Sequence, residues 1–368
     1  MYPILTVVAA VKKLWSQTTP SEPVEFLYVG TADGVEAKLA AREGIEFAPI
    51  EAGQIRILNP LKLARNSWRM FLGSRQAREL LAQWQPDAVF VTGGYVCGPV
   101  VWAARKQQTP VLIYLPDMTP GMGVKRLAPH ATAIAVSFPE VAAHFQEYQS
   151  QVHVTGYPVR PALQQRSMSH AQARAALGLN PDLFTLLVFG GSRGARAINQ
   201  ALAAILSQLL DEMQVIHISG ELDYAQAQAR TPQLHPQQQE RYHLYPYLHE
   251  EMIAALHAAD LVVARAGAST LGEFPALGLP AILVPLPISG GHQRYNAQYL
   301  ADRGAAVVIE NKDMPQKLLP AIQELSRNAE KLHQMSQNSA ALARPSAAQD
   351  IAKILLSLPH NYHGRTHS

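Results

Sequence analysis

Gly190-Gly191-Ser192-Arg193-Gly194 stands between the apolar run Thr185–Phe189 and a helical pattern that opens near Ala195. Glycines at a strand-to-helix turn let the backbone approach a ligand, and the free N–H groups of a helix start, at the positive end of its dipole, suit a diphosphate. Ser192 adds a hydroxyl donor and Arg193 a positive charge. The dipole itself contributes only ~0.3–1 kcal/mol at an exposed site, so on spacing alone a tight turn without a ligand fits equally well.

Two further strand exits have related chemistry. In "LVVARAGASTLGEFPALGLPAILVP" the run 261–264 enters Ala266-Gly267-Ala268-Ser269-Thr270, and the helix beyond it carries Glu273. An acid at such a place can accept hydrogen bonds from a ribose diol, or can simply complement the helix dipole. Pro275 is tolerable only near that helix's start. In "ISGGHQRYNAQYL", His292, Gln293 and Asn296 cluster after a Gly-Gly turn, where polar residues often cap a helix. A fourth exit, "VFVTGGYVCGP", has Gly93 and Gly94 with Tyr95 at its tip.

The elements that must position these loops read as alternating strands and helices. Apolar runs at 24–29, 88–91, 111–114, 133–136, 185–189, 214–218, 261–264 and 281–284 are nearly continuous and separated by helical patterns. That pattern predicts parallel sheets covered on both faces, whose ligands bind at the carboxyl ends of the strands. A polar, proline-interrupted stretch places a domain junction at 158–165, so two doubly wound domains would face each other across a cleft. "QARTPQLHPQQQERYH" reads as a polar loop at most, and "HNYHGRTHS" as a disordered tail. The chain opens instead on an amphipathic helix, with Ile4, Leu5, Val7, Val8, Val11 and Leu14 at helical spacing and no strand before it.

With 368 residues, 48% hydrophobic and 16% charged, the composition is that of a globular chain large enough for two domains. No apolar run reaches the ~20 residues that span a bilayer. A single cysteine, Cys97, excludes an internal disulfide. The net charge of +3 is mild, but its placement is not. Between Ala52 and Arg78 the chain carries Arg56, Lys62, Arg65, Arg69, Arg75 and Arg78 with no acid. Leu61, Ala64, Trp68, Phe71 and Leu72 intervene, which makes a basic amphipathic element suited to anionic lipid or, more plainly, a solvated basic face.

Taken in order, "YPILTVVAAV", "GTADGVEAKLAAREGIEF", "TGGYVCGPV", "TGYPVRP", "VFGGSRGARAIN", "ARAGASTLGEFPALGLPAILVPLP" and "GGHQRYNAQYL" resemble the MurG family of peptidoglycan N-acetylglucosaminyltransferases across almost the whole chain. The resemblance implies an α/β GT-B fold of two Rossmann-like domains. Residues 1–158 would be the acceptor and membrane-facing domain and 159–340 the UDP-GlcNAc domain; 341–358 would be a helix packing back on the first, and 359–368 a tail. It implies inverting transfer of GlcNAc from UDP-GlcNAc to the 4-hydroxyl of a muramoyl-pentapeptide on polyprenyl diphosphate. No metal cofactor is implied, and no nucleic acid. The place would be the cytoplasmic face of the membrane, on an anionic surface, with cell-wall synthesis and division proteins as partners.

By the same resemblance Arg160 and Ser192 are donor-site residues, and Ala268, Ser269, Thr270, Leu271, Gly272 and Glu273 form the uridine and ribose loop with Glu273 as ribose acceptor. Gln293 and His292 would contact the sugar, the main chain at His249 the uracil, Gly190, Gly191, Arg193 and Gly194 the diphosphate. Gly93, Gly94 and Tyr95 would face the acceptor. Three departures stand out. Tyr2-Pro3 matches a helix start that in the family follows a first strand and a Gly-Gly-Thr-Gly-Gly-His loop, so that strand, loop and catalytic-base histidine are expected to be missing, through a start placed downstream of the true one or through loss. Tyr114-Leu115-Pro116-Asp117 replaces His-Glu-Gln-Asn, which leaves the acceptor open and Asp117 as a weak base candidate or a strand-end acid. Arg193 replaces a glutamine. A related transferase with another acceptor, or a UDP-sugar-binding homologue without activity, are the alternatives.

Overall fold

The structure is a computed structural model and describes residues 2–32, 36–53, 60–164, 168–191, 194–287 and 291–359. The chain forms two compact units, residues 1–158 together with 346–368, and residues 159–345.

In the first unit, β1 (Leu27–Gly30) and β2 (Glu46–Pro49) pair as a two-stranded parallel sheet. A separate parallel sheet runs β3 (Val89–Val91), β4 (Val111–Leu115), β5 (Ala133–Val136), β6 (Val152–Val154), in that order. No described strand pairs β1 with β3. Every residue of β4 and β5 is buried, as the unbroken apolar runs predict for strands covered on both faces. The opening amphipathic pattern is the helix Tyr2–Thr18, and its stripe buries Val7 and Val11 against Leu112, Tyr114 and Ala133. Ile351 and Ala352 of the C-terminal helix Ala347–Ser357 complete that cluster. Tyr114 is wholly buried, with its Oη 2.9 Å from Ser137 Oγ, and burial pushes its phenol well above the ordinary tyrosine value.

The second unit is one six-stranded, all-parallel sheet in the order β12-β11-β10-β7-β8-β9. Its strands are β7 (Thr185–Phe189), β8 (Gln214–Ile218), β9 (Tyr242–Tyr245), β10 (Leu261–Ala264), β11 (Ala281–Leu283) and β12 (Ala306–Val308). The inward stripe of the helix Arg196–Glu212 (Ile198, Leu202, Leu206, Leu209) packs with β7, β8 and β10. Arg174 ties the unit's entry to its sheet: it donates to the carbonyls of Pro181 and Ala258 and lies 2.7 Å from Asp260 Oδ2, which also accepts the Thr185 N–H.

Several local expectations change. The strand read over 24–29 occupies Leu27–Gly30. The segment read as a polar loop contains a 3-10 turn, Thr231–Gln233, a helical turn, Pro236–Glu240, and the start of β9. Gln238 explains why so polar a stretch folds: buried, its amide donates to the Ser207 carbonyl and to Asp211. Pro275 is the sixth residue of the helix Thr270–Leu277 and not near its start. That helix is only two turns long, so few of its bonds are lost to the missing N–H. β2, β6, β9 and β12, which the apolar runs did not mark, all lie at sheet edges. The tail 360–368 lies outside the described residues.

Candidate active site

β7 is the strand at which the second sheet reverses direction of growth: β8 follows on one side, while β10 lies on the other. Loops leaving the carboxyl ends of β7 and β10 therefore diverge and open a crevice, the place where doubly wound sheets bind ligands. Phe189 and Ala264, the last residues of these strands, are register partners, so both loops leave from one level. Phe189 meets Phe274 edge to face at 6.3 Å, which ties the first loop to the helix that follows the second.

The β7 loop turns on glycine. Gly191 and Gly194 have φ of 90° and 72°, and the Gly194 N–H donates to the Gly191 carbonyl at 2.9 Å. A Cβ on Gly194 would also collide with the Ser219 carbonyl, so this position requires glycine for both conformation and room. Ala195 caps the helix Arg196–Glu212 and has no side-chain acceptor for its first-turn N–H groups. Ser192 and Arg193 lie outside the described residues.

The β10 loop is held from below. Asn296, fully buried in the helix His292–Asp302, donates to the Ala266 carbonyl at 3.1 Å. The Thr270 hydroxyl is spent on the Gly267 carbonyl at 2.7 Å. Thr270, Leu271 and Gly272 are buried, so they shape the loop, and Ala268 and Ser269 are the half-exposed members. Glu273 is brought to Arg160 from 113 residues away: Nη2 donates to Oε1 at 3.4 Å, with side chains 18% and 13% exposed. Burial pushes the Glu273 carboxyl up, and the Arg160 charge and hydrogen bond oppose that shift.

The remaining site positions are spread more widely. Gln293 Oε1 accepts the Leu286 N–H at 2.9 Å, and His292 begins the same helix, half-buried. His249, exposed beyond β9, packs edge-on against Tyr247 at 4.6 Å, and its backbone N–H reaches Glu251 Oε2 at 3.3 Å. In the first unit, Gly93 and Gly94 follow β3 with φ of 100° and 102°, and Tyr95 is 53% exposed. The Cys97 thiol donates to the Gly93 carbonyl at 2.8 Å, and burial pushes it up to about 11, which keeps it protonated. Asp117 sits half-buried two residues past β4.

From Pro60 onward the basic stretch lies on the helix Pro60–Trp84. Glu51 folds onto Arg69 at 2.6 Å and Glu79 pairs with Arg75 at 2.9 Å, so the stripe has less unpaired charge than its acid-free run suggests. Trp68 and Phe71, 60% and 61% exposed, stack with centroids 5.5 Å apart. Arg56 and the Lys62 side chain lie outside the described residues.

One group was not singled out from the sequence: Asn199, His217, Asp223 and Tyr242, which form a buried network behind the β7 loop. Its signals were Asn199, a polar residue on the otherwise apolar inward stripe of its helix, and His217, a polar residue inside the strand run 214–218.

Residues 2–136 match the glycosyltransferase family 28 N-terminal domain and 185–351 its C-terminal domain. A UDP-N-acetylglucosamine–N-acetylmuramyl-(pentapeptide) pyrophosphoryl-undecaprenol N-acetylglucosamine transferase from Roseiflexus sp. (strain RS-1) is 42% identical, over 90% of this chain and 83% of the relative. The transferase of the same name from Bacillus subtilis (strain 168) is 35% identical over 91% of each. The crystal structure of Acinetobacter baumannii MurG superposes with a TM-score of 0.71 at 26% identity, covering 96% of this chain and 95% of that one. A UDP-GlcNAc 2-epimerase from Neisseria meningitidis has a TM-score of 0.70 at 13% identity, covering 97% of each, which shows a shared fold alone. Two all-parallel units, glycine loops at a strand switch point and kinship along nearly the full length lead to one conclusion: the chain belongs to the MurG family of glycosyltransferase family 28.

Proposed function

We propose that this chain transfers GlcNAc from UDP-GlcNAc to the 4-hydroxyl of MurNAc-(pentapeptide)-pyrophosphoryl-undecaprenol, with inversion at the anomeric carbon. The observation that carries the donor side is the pairing of two strand exits at the β7/β10 switch point with the buried Arg160–Glu273 pair. Uridine lies along Ala268 and Ser269, and the ribose diol donates to Glu273. The diphosphate lies at the uncapped start of the helix Arg196–Glu212. As the acceptor hydroxyl attacks the anomeric carbon, the bond to the diphosphate oxygen breaks and negative charge grows on UDP. N–H donors already fixed in direction stabilise that charge without reorganising. The hydroxyl proton passes to a base; Asp117, two residues past β4, is one group that can take it, its other reading being a strand-end acid. Loss of turnover in Asp117→Asn, with UDP binding kept, would assign it.

The acceptor is lipid-linked, and the helix Pro60–Trp84 gives the first unit a surface for it: Arg65 exposed beside the Trp68–Phe71 stack. Aromatic rings at the headgroup level and basic side chains toward anionic lipid make a peripheral membrane contact. No described helix is long and apolar enough to cross a membrane.

The deciding experiment incubates purified protein with UDP-GlcNAc and polyprenyl-diphosphate-linked muramoyl-pentapeptide. Disaccharide on the lipid is the expected product. UDP release with other acceptors alone points to a related transferase, and donor binding with no turnover to a binding homologue.

A further inference from the structure

A continuous hydrogen-bond chain runs beneath the loop that follows β7. Tyr242 Oη lies 2.7 Å from His217 Nδ1, and His217 Nε2 lies 3.0 Å from Asn199 Oδ1. Asn199 Nδ2 donates to the Ser219 carbonyl at 2.8 Å and to Asp223 Oδ2 at 2.9 Å. Arg196 Nε donates to the other oxygen, Asp223 Oδ1, at 3.1 Å.

The chemistry fixes every direction. Two acceptors, the Ser219 carbonyl and the Asp223 carboxylate, surround one end of the Asn199 amide, so that end must be the NH2 and the other the oxygen. An oxygen facing His217 requires a proton on Nε2, which leaves Nδ1 to accept from the Tyr242 hydroxyl. Each buried polar atom is thereby matched, and a fully satisfied buried network specifies one arrangement. Burial also pushes His217 down to about 4, so the imidazole is neutral near pH 7, as this pattern demands.

What the chain holds in place is the start of a helix. Asn199 closes its first turn, with its N–H on the Ala195 carbonyl at 2.9 Å, and Arg196 is its first residue. Ser219 is the residue against whose carbonyl Gly194 packs too closely for any side chain. Asp223 lies in the first turn of the next helix, Glu221–Gln228. The network therefore clamps the first turn of Arg196–Glu212, with Gly194 just before it, to β8, β9 and the following helix.

We infer that Asn199, oriented by His217 and Tyr242, is a positioning residue for the diphosphate of the nucleotide donor, through the backbone N–H groups it holds in place. This rests on the donor reading given above. It assigns the network to the phosphates and not to the nucleoside, which the β10 loop receives.

The test compares UDP with uridine as ligands of the full chain, by competitive inhibition of transfer and by calorimetry. Asn199→Ala should weaken UDP roughly tenfold, the order expected when a hydrogen bond to a charged group is lost, while uridine changes less than about twofold. Tyr242→Phe, nearly the same shape, should move UDP in the same direction by about threefold, and it keeps the test intact if the Asn199 variant does not fold. Equal weakening of UDP and uridine would make the network merely structural and overturn the inference. Unchanged UDP affinity in either folded variant would overturn it too. Wild-type protein that binds neither ligand would instead sink the donor reading itself, and the inference with it.

Discussion

Glu273 and Arg160 form a nearly buried ion pair at the helix that follows the β10 loop. In the donor site proposed above, replacing Glu273 by Gln removes a charged acceptor for the ribose diol, so UDP-GlcNAc should bind about 10- to 100-fold more weakly, the equivalent of ~1.5–3 kcal/mol. Removing Arg160 leaves the Glu273 carboxylate buried without its compensating charge, so its already raised pKa rises further. The binding form is the carboxylate, so affinity should fade as pH falls, and at a higher pH in Arg160→Ala than in wild type. Calorimetry across about pH 8 to pH 5 reads this directly. His217 gives a second pH signature. Its pKa is lowered from 6.5 to about 4 by burial, against the opposing charge of Asp223. Below pH 6.5 the unfolded state binds a proton that the folded state refuses, so stability declines from about pH 6.5 down to about pH 4 and then levels off. The upper limit of that loss is ~3 kcal/mol. His217→Gln cannot take up a proton there, so its denaturant midpoint should lack this part of the slope.

At the scale of elements, what packs is often distant in sequence. Val7, Leu112 and Ile351 lie in one cluster of the first unit, and Ile351 is fully buried. Ile351→Ala should cost ~2–5 kcal/mol through lost burial and the cavity left behind. Faster amide exchange in β4 is the measurement, and unchanged protection there would contradict the packing. Legibility follows the same physics. β4, β7 and β10 are covered on both faces and paired on both edges, so nearly every residue is apolar and the run stands out. β2, β6, β9 and β12 pair on one side only, are three or four residues long, and include half-exposed or exposed positions. An edge strand takes its conformation from its neighbour's hydrogen bonds, which local composition does not record.

On the function proposed above, the whole molecule has to meet a substrate anchored in a lipid surface. Lys62→Glu/Arg65→Glu/Arg69→Glu together should abolish co-sedimentation with anionic vesicles, since each basic residue near the surface contributes ~1 kcal/mol. Trp68→Ala/Phe71→Ala should weaken binding to neutral vesicles as well, because burial of rings does not depend on lipid charge. Equal binding by all three proteins would remove the membrane role of this helix. Arg69 is expected to contribute least, as Glu51 already holds it.

The sequence by itself determined the class of fold and the identity of the strand exits. Apolar runs of strand length alternating with helical stripes permit few arrangements other than covered parallel sheets, and glycine where φ is positive is a local requirement, visible at Gly191 and Gly194. Kinship motifs added the family. Only the tertiary structure decided which residues meet. It joined Arg160 to Glu273 across 113 positions, and it spent Thr270 and Gln293 on the backbone. It also assembled Asn199, His217, Asp223 and Tyr242 from four elements into one buried chain. Hydrogen-bond partners of buried polar groups are chosen by the way elements pack, so they appear in a sequence only as polar letters at apolar positions.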